Sequence, residues 1–289
     1  MATQWPLVLF TFFICLSCGI FAVLAYLSLK GKGEAIQLPG SIAVLVTLAI
    51  GGIAVFFHLQ HWERIFNGFG HITSGITHEL IGCVVIGVLV VIWIVLLRTN
   101  RPITKGLAWV TIICAAAMVA VTGHSYMMPS RPAWGIDLVV YYLAEACLLG
   151  SVGVWAIAAW KKDEDAIAMS IDFTFVSSIL QLVGIAFYVI CTAFSKVTNY
   201  AYYADPTRIT TTPVHVDSLL GEMVSGSGAA MFWVSVVLAI AALVCAMMAK
   251  KNADKKATFM IVVAAAALVA GITFRVLFYN LGYSLFMLY

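Results

Sequence analysis

A chain of 289 residues that is 63% hydrophobic and only 10% charged, with a mean hydropathy of +1.04, is not a water-soluble globule, in which about a quarter of the residues carry charge. At about 20 residues per crossing, this length accommodates roughly eight membrane helices and excludes a separate aqueous catalytic domain. The formal charge of +3 comes from lysines and arginines gathered in loops, so it gives no reason to infer nucleic-acid binding.

Long apolar runs bounded by charges predict an all-α integral membrane protein, an eight-helix bundle forming a single domain over residues 1–289. The crossings are expected at 6–29, 40–60, 76–97, 105–127, 136–160, 166–195, 223–249 and 257–283. No lysine or arginine precedes Lys30, and the first apolar run is long for a signal-peptide core, so it is expected to remain as a membrane helix. Its Cys15-Leu16-Ser17-Cys18 spacing lies wholly in apolar sequence, as do Cys83, Cys114, Cys147, Cys191 and Cys245. These cysteines read as packing residues rather than a disulfide framework, a redox pair or a zinc site.

The connections alternate in basic content. Those after the first, third, fifth and seventh crossings hold Lys30 and Lys32; Arg98, Arg101 and Lys105; Lys161 and Lys162; and Lys250, Lys251, Lys255 and Lys256. Those after the second, fourth and sixth hold only Arg64, Arg131, Lys196 and Arg208. The positive-inside rule puts the basic connections in the cytoplasm and both termini on the outer face of the cytoplasmic membrane.

An ionisable group inside a span is costly, and either a paired structural contact or a functional site explains it. The second crossing ends with His58, the third begins with His78 and Glu79, and the fourth ends with His124, Ser125 and Tyr126. Asp137 and Glu145 follow in the fifth, Glu222 opens the seventh, and Arg275, Tyr279 and Tyr283 lie in the outer half of the eighth. Only Asp172 falls in the inner half. This crowding predicts a polar pocket between helices near the outer face. A carboxylate and an imidazole beside lipid suit a quinol, which must shed two protons with its two electrons. Arg275 either holds that carboxylate, polarises a quinone oxygen, or simply neutralises Glu79 for helix packing.

Other chemistries fit less well. A b-type haem needs two facing imidazoles; His58 and His124 form one candidate pair, with no second near the inner face. No iron-sulfur motif, nucleotide loop or metal cluster is present. A transporter would carry paired broken helices or polar groups through both leaflets. Two outer connections look like docking surfaces: residues 61–69, with Trp62 and Arg64, and the long stretch 196–217, with Tyr202, Tyr203 and Arg208.

At these positions the chain resembles the membrane anchor subunits of the dimethyl sulfoxide reductase family, within the complex iron-sulfur molybdoenzymes. The likeness rests on Trp5-Pro6-Leu7 with Phe10-Thr11, His58-Leu59 with Arg64, Phe66-Asn67 and Glu79, Tyr126 with Pro132-Ala133-Trp134, and Arg275 with Phe278-Tyr279. The resemblance implies a subunit that binds menaquinol and passes its electrons to a four-cluster iron-sulfur partner, and through it to a molybdopterin catalytic subunit. The family's site histidine and glutamate fall on His58 and Glu79, and the expected quinol-binding set adds Arg275, His124, Tyr126 and Tyr279. The chain departs from the family at Gln60-His61-Trp62, where a Gly-x-Pro turn is usual, in a slightly shorter following loop, and at His124, near a common arginine. A polysulfide-reductase type of anchor shares this plan, and a purely structural anchor without a quinone site is the other alternative.

Overall fold

The computed structural model describes residues 4–58, 61, 67, 69–195, 200–202, 214–216 and 218–282. Eight helices among them are long and apolar enough to cross a membrane. They are α1 (Trp5–Leu29), α2 (Glu34–Phe56), α3 (Gly75–Arg98), α4 (Lys105–His124), α5 (Ile136–Lys161), α6 (Glu164–Phe194), α8 (Ala229–Lys251) and α9 (Lys256–Asn280), with a short α7 (Leu219–Val224) before the seventh crossing. Two short strands, β1 (Tyr200–Tyr202) and β2 (Val214–Val216), pair antiparallel in the long connection after α6, with Ala201 opposite His215.

Local chemistry sets the helix ends. Pro6 stands in the first turn of α1, where its missing N–H costs nothing. The Thr104 hydroxyl accepts from Leu107 N at 3.2 Å to cap α4, and the Asp163 carboxylate accepts from Ala166 N at 3.0 Å to cap α6. Two starts differ most from the expected ones, and the ends of α2, α4 and α9 fall about a turn short. The second crossing begins six residues earlier than residue 40, because Gly33, at φ 71°, starts the helix and Pro39 is carried within its second turn. The seventh begins at Ala229 rather than 223, because the Ser225–Gly228 run breaks the helix. Glu222 caps that break, its Oε2 accepting from Ser227 N at 3.1 Å and Ser227 Oγ at 2.9 Å, so this acid serves a turn rather than a pocket.

Helices α1 and α5 are the most buried spans and form the centre of the bundle. Helices α2, α4 and α5 pack on α1, and α6 and α9 pack on α5, while α3 and α8 lie at the periphery. At the crossing of α1 and α5 a Cβ on Gly19 would stand 2.0 Å from the Ala146 carbonyl oxygen, and one on Gly150 would stand 2.2 Å from the Gly19 carbonyl carbon. The two backbones touch, which only a glycine pair permits. Some interior polar side chains are tied across helices: Ser17 Oγ donates to Val44 O at 3.0 Å, and Trp93 Nε1 donates to Thr111 Oγ1 at 3.0 Å. Large apolar side chains such as Ile53, Val88, Ile113 and Val237 remain exposed on the outside, as a hydrocarbon solvent allows.

The basic connections gather at one end of the bundle. There Lys250 Nζ pairs with Asp172 at 2.7 Å, Lys256 with Glu164 at 3.5 Å and Lys32 with Asp165 at 3.6 Å. Asp172 thus belongs to an exposed ion pair at that end, not to a polar path through the interior.

Candidate functional site

At the end remote from the basic connections, the tips of four spans and one connection enclose a cavity of about 260 Å³. Gln4 and Leu7 come from the start of α1, Val55 and His58 from the end of α2, Ile76 and Glu79 from the start of α3, and Tyr279 from the end of α9. The connection between α4 and α5 supplies Ser125, Tyr126, Met128, Arg131 and Trp134.

Each polar member is placed by its local structure. His58 follows the last turn of α2, its N–H donating to Val55 O at 3.0 Å, and its imidazole is exposed. The turn before α3 is closed by Ser74 N donating to His71 O at 2.9 Å and by Thr77 Oγ1 donating to the same oxygen at 3.1 Å. Gly75 then packs directly on Ser125, whose Oγ would lie 2.9 Å from a Cβ there. Glu79 is four residues further along the same helical face and therefore also meets Ser125. The half-buried Glu79 carboxyl lies beside the Ser125 side chain, whose Oγ donates to Val121 O at 3.0 Å.

That geometry tolerates a change of protonation. A hydroxyl has one proton to donate and two lone pairs to accept with. A Ser125 hydroxyl turned toward an ionised Glu79 would donate to it, and a protonated Glu79 would donate to Ser125 Oγ while that hydroxyl keeps its bond to Val121.

The opposite wall is aromatic. The Tyr126 and Tyr279 hydroxyls are 2.6 Å apart. The Tyr126 ring stands edge-on to Trp134, Phe278 and Tyr279, with centroids at 5.5, 5.6 and 5.9 Å. Trp134 Nε1 donates to Phe278 O at 2.8 Å, and Arg131 lies over the Trp134 ring at 4.5 Å while Nη1 donates to Gly282 O. These contacts bind the α4–α5 connection to the end of α9. Burial pushes the Tyr126 hydroxyl well above its ordinary pKa, so it stays protonated as a hydrogen-bonding group.

Of the expected set, the structure brings His58, Glu79, Tyr126 and Tyr279 to one cavity. Arg275 does not line it. One turn deeper than Tyr279, it is fully buried and engaged by Glu145, so Glu79 is not its carboxylate partner. His124 ends α4, is exposed, and is not among the lining residues. Of the expected docking residues, Trp62, Arg64, Tyr203 and Arg208 lie outside the described residues, as does Tyr283; Tyr202 ends β1. Ser125, Trp134, Arg131 and Gln4 join the site without having been singled out for it. Ser125, between two expected members, and Trp134, in the Pro132-Ala133-Trp134 motif, carried a signal in the sequence.

The family model of the DMSO reductase anchor subunit (DmsC) matches residues 1–281. The chain belongs to this family. A comparison with curated proteins returned no match. Membership in the DMSO reductase anchor family agrees with the eight spans, and makes this a multi-pass membrane anchor subunit.

Proposed function

We propose that this anchor oxidises menaquinol in the cavity between α1, α2, α3, α9 and the α4–α5 connection. The observation that carries the proposal is the convergence there of a carboxyl beside a serine hydroxyl, an imidazole and a pair of tyrosine hydroxyls on apolar walls. One quinol hydroxyl faces Glu79 and the other the Tyr126–Tyr279 pair or His58. Glu79 accepts one proton and His58 the other, both pass to water at the exposed mouth, and the substrate's two electrons leave for the partner protein. The redox metals belong to the partners, an iron-sulfur subunit of four clusters and a molybdopterin catalytic subunit, while this chain binds, orients and deprotonates.

The site lies at the end opposite the basic connections, which the positive-inside rule assigns to the cytoplasm. The quinol site and both termini therefore face outward from the cytoplasmic membrane, and the iron-sulfur subunit docks on that face. Trp62, Arg64, Tyr202, Tyr203 and Arg208 are proposed as its contact residues. Protons are released on the same face as the docked catalytic subunit, so turnover generates little membrane potential.

The test is turnover of the native complex with a quinol donor and, separately, with a reduced dye that bypasses the anchor. Glu79→Gln and His58→Ala are expected to lower quinol-driven turnover by about 10²-fold, the scale of a lost acid–base group, and to leave dye-driven turnover intact. Undiminished quinol turnover in both variants would remove Glu79 and His58 from the quinol site.

A further inference from the structure

A second cavity, of about 510 Å³, lies at the other end of the bundle, between the α1–α2 and α3–α4 connections. Its polar lining includes Ser28, Lys32, Glu34, Gln37, Asn100 and Arg101, and its apolar lining includes Leu38, Leu97 and Ile103. The two connections are held in tight left-handed turns, with Gly31, Gly33 and Asn100 at φ 65°, 71° and 55°, and Arg101 N closes the second by donating to Leu96 O at 2.8 Å. Two cations and one carboxylate line the cavity, an excess of one positive charge. Lys32 also stands 3.6 Å from Asp165, but both side chains are well exposed, so that pairing is weak.

Gln37 distinguishes this cavity from a general basic surface. It is only 4% exposed; its Nε2 donates to Leu24 O at 3.1 Å, and its Oε1 has no hydrogen-bond partner. A buried amide oxygen left unpaired is costly, and a donor from a ligand in the adjoining cavity would relieve that cost once the side chain turns to meet it. Phosphate oxygens accept hydrogen bonds but do not supply that donor. A ligand that combines one negative charge, a hydroxyl and an apolar continuation meets all three features of the lining.

We infer that the cavity between the α1–α2 and α3–α4 turns binds the headgroup of a phosphatidylglycerol-type lipid, its phosphate on Lys32 and Arg101 and a glycerol hydroxyl on Gln37. The single negative charge of such a lipid balances the lining, and its first chain carbons meet Leu97 and Ile103. Basic pockets between membrane helices recognise anionic headgroups in this way. A zwitterionic phosphatidylethanolamine leaves the excess charge unbalanced. The site is remote from the quinol cavity and stands independently of it.

The full-length protein in its native complex, delipidated in mild detergent, is titrated with dioleoyl phosphatidylglycerol and followed by native mass spectrometry. One lipid is expected to bind this chain, and Lys32→Gln combined with Arg101→Gln is expected to weaken it about tenfold or more. Dioleoyl phosphatidylethanolamine and free glycerol 3-phosphate are each expected to bind at least about tenfold more weakly than phosphatidylglycerol. Phosphatidic acid has the phosphate without the glycerol hydroxyls, so Gln37→Leu is expected to abolish the preference for phosphatidylglycerol over it. Equal binding by wild type and the double variant, by the zwitterionic lipid, or by free glycerol 3-phosphate would overturn the site. An unchanged preference in Gln37→Leu would overturn the hydroxyl contact.

Discussion

Arg275 Nη1 lies 2.7 and 2.6 Å from the two carboxylate oxygens of Glu145, at the junction of α1, α5 and α9. All five guanidinium protons are used: Nη1 also donates to Gly271 O at 3.0 Å, Nε to Thr11 Oγ1 at 2.8 Å, and Nη2 to Thr11 O at 3.2 Å and Cys15 Sγ at 3.3 Å. The Tyr142 ring lies against the same group at 4.8 Å, and Gly271 has no Cβ because one would fall 2.0 Å from Glu145 Oε1. Arg275 is thereby a keystone of the bundle beneath the cavity of His58 and Glu79 rather than a wall of it.

Breaking this pair from one side strands a buried charge. Arg275→Met is expected to destabilise the bundle by about 3–5 kcal/mol, whereas Arg275→Met with Glu145→Leu removes both charges and recovers most of that loss. Thermal unfolding of the two variants in lipid nanodiscs measures the difference. A double variant no more stable than Arg275→Met alone would refute the pairing as the source of the cost.

Ser125→Ala removes the hydroxyl that stands beside Glu79 in the cavity wall and can serve either of its protonation states. Quinol-driven turnover is expected to fall by about tenfold with dye-driven turnover unchanged, because a hydrogen bond to a charged group is worth about 1.5–3 kcal/mol. Steady-state kinetics that separate kcat from KM are the check. The loss should appear mainly in kcat, and Ser125→Thr, which keeps the hydroxyl, should recover part of it.

Tyr279→Phe deletes one member of the 2.6 Å hydroxyl pair and leaves its ring packing in place. A loss of about 0.5–1.5 kcal/mol in stability is expected, together with weaker quinol binding. Titration of the purified complex with a fluorescent quinol-site inhibitor reports the binding part. Unaltered affinity would remove the tyrosine pair from the substrate's contacts.

The span count was legible because hydrocarbon thickness fixes the length of a helix, and eight apolar runs of that length stand between charged turns. The depth of His58, Glu79, Tyr126 and Tyr279 was legible for the same reason, since distance from a span's end is distance along its axis. What sits beside what was not. Helices that are apolar all round carry no periodicity to mark an inward face, so Arg275 could be assigned to the right depth but not to Glu145 over Glu79. The start of α2 was missed because Pro39 reads as a boundary, yet a proline in the second turn removes only one backbone bond. The break before α8 is written in Ser225-Gly226-Ser227-Gly228, but Glu222 can close it only after the chain has turned back.

The charge pair also orders the chain's biogenesis. Glu145 enters the bilayer 130 residues before its cation is synthesised, and Thr11 and Cys15 wait longer still. Until α9 leaves the translocon, the acid has no guanidinium to meet and must stay neutral or near water. The α9 span therefore acts as the latch on insertion, since a chain that stops short of it leaves the Glu145 carboxyl in the membrane without its charged partner.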